Sequence, residues 1–298
     1  MKYYSHILLN LFFLSIIISA DFPDKAQLLR KNSVAKTIGR EDRKDGVHSG
    51  NRVLTRIYNH GAIGDLSSSF SGVYPIGSGH AYIFEFSPII AASVVDANGF
   101  RKHIISDGTI GLTDNSPEGT PWGFEPLSGY ANPNQENLAM SDNENSWPDS
   151  WPNRPSDWDG EWNGQYGKYV RADQESYFVV DDYYNSEFEF WPDENDIPQD
   201  TAAAPDNHRR GLGVQLEVRG YQWNHPAAED ILIVTYWITN VGTSVLDSVV
   251  FGMYGDADVG GPSSFSDDDA WFDTENDMVF QWDHDNWSTS YGGFKPAY

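Results

Sequence analysis

The sequence predicts a mainly β protein, an antiparallel β-sandwich with long Trp-, Asp- and Pro-rich loops and few, short helices. Three observations carry that expectation. Apolar residues recur with period two in several runs, and none sustains a 3.6-residue period over a helical length. Glycines at Gly61, Gly64, Gly72, Gly77 and Gly79 punctuate the space between strand-like runs, as turns of an antiparallel sheet do. Trp147-Pro148, Trp151-Pro152 and Trp191-Pro192 hold their tryptophans in extended or turn segments, because a residue before proline avoids the α region.

Residues 1–20 read as a signal peptide. Lys2 supplies a small positive start, Ile7 to Ile18 is apolar apart from Asn10 and Ser15, and Ala20 offers a small residue for cleavage before Asp21. That run is too short to span a ~30 Å hydrocarbon core. A buried core helix is the competing reading, and the polar residues that follow at once disfavour it. No later stretch approaches eighteen apolar residues, so no transmembrane segment is expected after cleavage. Residues 21–50 carry Lys25, Arg30, Lys31, Lys36, Arg40, Arg43 and Lys44 with little periodicity, and read as a flexible basic leader rather than a nucleic-acid tail.

The rest of the chain, 51–298, is expected to hold the sandwich, with a loop-rich insertion at about 107–210. Strand-like runs fall at Val53 to Tyr58, Ala81 to Phe86 and Ile89 to Val95, and Tyr177 to Asp181 forms an apolar island within the insertion. Leu212, Val214, Leu216 and Val218 alternate with polar residues as a half-buried strand does. After Gly220 the large residues fall on Tyr221 and Trp223, a phase slip that a bulge at Gly220 explains. Ile231 to Ile238 is apolar or β-branched nearly throughout, as in a central strand covered on both faces. Asn240 to Thr243 then turns the chain into Val245 to Tyr254, and Met278 to Trp282 follows. The abrupt ending at Phe294 to Tyr298 fits a fragment of a longer protein.

Charge and composition narrow the function. Nineteen Lys and Arg against forty-four Asp and Glu leave a net charge of −25, which repels nucleic acid and attracts cations. There is no cysteine, so neither disulfides nor thiolate metal sites are available: stability rests on packing, and hard cations are the metal class left open.

Four stretches carry a family resemblance. They are Tyr74 to His80 running into Tyr82-Ile83-Phe84, Arg209 to Gly213, Tyr236 to Gly242, and Asp256 to Gly260 followed by Asp267-Asp268 and Phe272-Asp273. In their order they resemble the amino-terminal region of large secreted proteins of Bacteroidetes, Marinimicrobia and related bacteria, which often end in a type IX secretion sorting domain. The resemblance implies export, surface exposure and adhesion or scaffold modules further on. It implies no activity, and the sorting domain itself is not within this chain.

Two constellations could carry chemistry. Between Asp256 and Asp285 there are ten carboxylates and no Lys or Arg. Asp256, Asp258 and Asp267 fall at positions one, three and twelve of a loop with Gly261 at six, close to a calcium-loop spacing; Gly260 at five, Asp at twelve and the lack of flanking helices depart from it. Asp256, Asp258, Asp267, Asp268 and Asp273 are therefore candidate calcium ligands in a loop unlike an EF-hand, against a solvated acidic loop whose aspartates cap turns. Trp147, Trp151, Trp158, Trp162 and Trp191 could stack on sugar rings of a polysaccharide. The alternative is that they clamp long loops onto the sandwich, each burying ~150–250 Å².

No catalytic signature emerges. Glu175, Glu187, Glu189 and Glu217 could be paired on paper for glycoside hydrolysis, but so could many of the forty-four acids. His-Glu-x-x-His, a Gly-x-Ser-x-Gly elbow and a Walker loop are absent, and Ser78 reads as part of a turn. The expected function is a non-catalytic secreted or cell-surface module of a larger adhesin-like or scaffold protein, with calcium as a candidate stabiliser. Its partners would be polysaccharide or other surface proteins. A carbohydrate-binding module or a carboxylate-dependent hydrolase is the alternative.

Overall fold

The structure is a computed structural model and describes residues 39–65, 71–110, 115, 122–198 and 208–296. The apolar run 7–18, the cleavage position and leader residues 21–38 lie outside the described residues. Twelve strands are formed among those described, and no helix reaches seven residues, as the periodicity predicted. None of the described helices is long and apolar enough to cross a membrane.

The chain opens with β1 (Asp45–His48) and β2 (Thr55–Tyr58), an antiparallel pair. One layer of the sandwich has β3 (Glu85–Val95) at its centre, flanked by β4 (Arg101–Asp107) and β10 (Asp247–Asp256). The other layer has β7 (Gln174–Asp181) and β8 (Val214–Gln222) at its centre, with β9 (Ile233–Asn240) on one edge. Two short strands, β5 (Glu125–Pro126) and β6 (Ala139–Met140), pair with the other side of β7. A hairpin of β11 (Asp268–Asp273) and β12 (Met278–Asp283) forms a separate two-stranded sheet.

The main core lies between the two layers. Ile90, Ala92 and Val94 of β3 and Ile104 of β4 meet Phe178 and Val180 of β7, Leu216 and Val218 of β8, and Val234 and Tyr236 of β9. Period-two patterning puts these side chains on one face of each strand. Burying each large aliphatic residue here contributes about 1.5–3 kcal/mol.

Several sequence expectations change. All nine residues of β8 are buried, so it is not half-buried. Its polar alternation is real, but its polar face lies under the loops of the insertion rather than under water. β9, expected in the centre, is the edge strand and is mostly only partly buried. Of the run expected at Ala81 to Phe86 only Glu85 and Phe86 are strand, and they continue across Pro88 into the run Ile89 to Val95 as the single strand β3. The folded region also begins before residue 51. Gly50 N–H donates to Gln222 Oε1 at 2.8 Å, His48 is fully buried, and Arg43 makes two 2.8 Å bonds to Glu125, so 39–50 belongs to the fold rather than to a flexible leader.

The bulge at Gly220 is absent. β8 keeps continuous register with β7, from Gln222 opposite Gln174 to Gln215 opposite Asp181, and with β9 from Tyr221 opposite Ile233 to Val214 opposite Asn240. Tyr221 is large because it extends the loop-covered face, whereas Gly220 sits on the core face against β1. A Cβ at Gly220 would stand 2.5 Å from His48 Nε2 and 2.6 Å from Ser176 Oγ, both buried. Close approach of β1, not a bulge, explains the glycine. Gly220→Ala should therefore cost about 1–3 kcal/mol of overpacking in urea unfolding; a variant as stable as the parent would contradict this register.

Candidate functional site: an acidic junction at the base of a hairpin

The carboxylates after β10 converge where the hairpin leaves the sandwich. Val259, and Ala257 in part, pack with Val53, Tyr74, Tyr82 and Phe294 in a small core, which holds the intervening Asp258 in place. Gly260 and Gly261 then turn with φ of +93° and +90°, a region that favours glycine. A Cβ at Gly260 would also lie 2.8 Å from Ser288 Cβ. The turn brings the chain back through Phe265–Asp267 into β11, whose first residue pairs with the last of β12, Asp268 opposite Asp283.

Asp258 is only 8% exposed, yet among the described residues no hydrogen-bond donor reaches its carboxylate. Burial, and then the charge of Asp256, push it up to about 6. Asp268 Oδ2 accepts the Val259 N–H at 2.8 Å, but its Oδ1 is buried without a partner. Burial raises Asp268 to about 7; the Val259 bond opposes that rise, while Asp258, Asp283 and Asp267 add to it. Asp283 accepts from Ser264 Oγ at 3.1 Å and from Trp287 N–H at 2.9 Å. Asp267, Asp283 and Asp285 each bring one carboxylate oxygen within 4.8 Å of the others. This is an oxygen-rich site of the chemistry that a hard divalent cation requires.

Of the predicted ligands, Asp256, Asp258, Asp267 and Asp268 come to this junction. Asp273 does not. It stands at the opposite end of β11, partly exposed, and accepts from Glu275 N–H at 2.8 Å and Asn276 Nδ2 at 2.8 Å, so it caps the hairpin turn. Asp283 and Asp285 belong to the junction although the calcium-loop spacing does not reach them. The pairing of 268–273 with 278–283 is the signal that would have found them.

The tryptophans occupy another place. Trp151 and Trp162 are 2% exposed and Trp191 is 5% exposed, while Trp147 and Trp158 are partly buried against the same layer. Trp147 Nε1 donates to Met140 O at 2.7 Å and Trp151 Nε1 to Glu161 O at 2.8 Å. Trp158 has Arg154 over its ring at 4.4 Å, and Trp191 has Arg210 at 4.6 Å. Trp151, Trp162 and Trp191 are too buried to be the open sugar platforms expected of them; Trp147, Trp151, Trp158 and Trp162 pack as one cluster over the polar face of β7 and β8, and Trp191 lies apart from that cluster under Arg210. That face carries Glu175, Tyr177, Glu217 and Arg219 and could not remain buried without such a cover.

The acids beneath that roof are saturated with donors. Glu175 accepts Trp162 Nε1 at 2.7 Å and the N–H groups of Arg171 and Ala172 at 2.6 and 3.1 Å. Asp181 takes two bonds from Arg209, at 2.7 and 3.0 Å, and one from Gln215 at 2.6 Å. Asp182, raised to about 7 by burial and then by Asp181, accepts Leu212 N–H, Val214 N–H and Ser106 Oγ at 2.6, 2.9 and 2.8 Å. Glu217 bonds Arg219, whose guanidinium lies 3.9 Å from the Tyr177 ring centre. Glu187 and Glu189 are exposed elsewhere. These contacts bind the layer together and leave Glu175 and Glu217 with structural work.

Comparison of the chain with protein-family models, with curated proteins and with solved structures finds no match.

Arg209→Met should lower stability by about 3–5 kcal/mol in urea unfolding, because it strands the Asp181 carboxylate. Adding Asp181→Asn should recover part of that loss. A loss under about 1 kcal/mol for the single variant would show that the pair is dispensable.

Proposed function

We propose that this chain is a non-catalytic β-sandwich module of a larger exported, surface-exposed protein, and that a calcium ion steadies it at the base of the hairpin, where Asp258 and Asp268 stand as neighbouring like charges. The observation that carries the calcium part is the Asp258 carboxylate, 8% exposed and without a donor, beside the buried and unpartnered Asp268 Oδ1. Burying charges of one sign together is costly, and a divalent cation is the economical remedy. Export and a scaffold or adhesion role are supported by the leader pattern of residues 1–20 and by the resemblance of the four stretches to amino-terminal regions of large secreted bacterial proteins.

Glycan binding is a second reading, and one observation favours it at a new position. Tyr166 and Tyr169 are 66% and 48% exposed, with Arg171 over their rings at 4.7 and 5.1 Å. Trp223 joins them through its Nε1 bond to Arg171 O. Exposed aromatic faces beside a guanidinium suit a sugar better than the buried tryptophans do.

Thermal melting at neutral pH tests the calcium reading. At a hundredfold excess over Kd, calcium should add about 2.7 kcal/mol and raise the midpoint by about 5–10 °C over chelator-treated protein. Asp258→Asn should abolish that response and raise the midpoint of the calcium-free protein, since it removes a buried unpartnered charge. Identical midpoints of the parent with calcium and with chelator would reject the ion.

A further inference from the structure

The cation junction also lies where the hairpin is hydrogen-bonded to the rest of the described residues. Among the described residues, the side-chain hydrogen bonds that tie the hairpin 268–283 to the rest of the chain end on Asp268, Asp269 or Asp283, all at the base. Beyond that base the hairpin projects with little support. Trp271 and Val279 are each 66% exposed and Phe272 is 52% exposed, and no third strand pairs with either edge. A two-stranded sheet alone is marginal in water. Its position must therefore be set at the base, where the charges oppose attachment. Asp258, anchored through Val259 to the sandwich, faces Asp268, the first residue of the hairpin, as like charge to like charge.

We propose that calcium acts as a staple at this point: bridging Asp258 on the sandwich to Asp268 on the hairpin, it switches β11 and β12 between a loosely held and a fixed state. This rests on the calcium reading above and adds a regulated element to it. Two observations point to a ligand here independently of the number of acids: Asp258, 8% exposed as a residue, meets no side-chain donor among the described residues, and Asp268 Oδ1 is buried there without a hydrogen-bond partner. The sandwich needs no such help, because its core strands carry their own packing. The effect of the ion falls on the hairpin, and with it on the presentation of Trp271, Phe272 and Val279 to solvent or to a partner.

Hydrogen exchange read by mass spectrometry on the full chain tests the staple, with calcium, with chelator, and in the Asp258→Asn variant. Peptides covering 268–283 should exchange about tenfold or more slowly with calcium. Peptides from β7 and β8 should be unchanged, and Asp258→Asn should show no calcium effect in 268–283 while keeping the β7 and β8 pattern. If calcium raises the melting midpoint but leaves exchange in 268–283 unaltered, the staple is wrong and the stabilising ion stands. If calcium moves neither the midpoint nor any peptide, the calcium reading fails and the staple with it.

Discussion

A carboxylate taken out of water must meet hydrogen-bond donors, a counter-charge or a cation, and this chain is organised by how its buried acids meet that demand. With a net charge of −25 and no cysteine, it has many acids to place and no covalent staple to help. The central strands β7 and β8 are buried on both faces, and one of those faces is polar. Glu175 and Asp181 can stay there because three donor groups converge on each, and Asp182, just past β7 and bonded to Ser106 of the other layer, is held by three more. The long insertion supplies much of that satisfaction. Trp162 donates to Glu175, Asn163 accepts from Arg219, and Arg209 forks onto Asp181.

The base of the hairpin obeys the same rule by a different route. Among the described residues few donors reach its carboxylates, and Asp258 receives none. Where the insertion solves charge burial with indole and guanidinium groups, the segment after β10 gathers oxygens and leaves the counter-charge to come from solution. That contrast separates acids that hold the fold together from acids suited to a ligand, a distinction that counting carboxylates cannot make.

Much of this architecture was legible in the residues. Period-two patterning located most of the strands, and the lack of a 3.6-residue period excluded long helices. What the pattern could not supply was the environment of the polar face of each strand. Gln215, Glu217 and Arg219 look like solvent-facing positions until the tryptophan loops are placed over them, so β8 read as half-buried and β9 took its central place. The large side chain of Tyr221 likewise imitated a phase slip, because the reason for Gly220 lies in β1, more than 170 residues away along the chain. The acidic site was half visible. Asp256, Asp258, Asp267 and Asp268 follow from local spacing, whereas Asp283 and Asp285 enter only through the hairpin pairing, and Asp273 drops out because the same pairing carries it to the far end.

Equilibrium dialysis of chelator-stripped protein against radioactive calcium at neutral pH measures most directly whether solution supplies the missing counter-charge. The parent chain should retain about one ion, and Asp258→Asn should retain none. A parent chain that holds no calcium at millimolar concentration, or a variant that binds as well as the parent, would contradict the account.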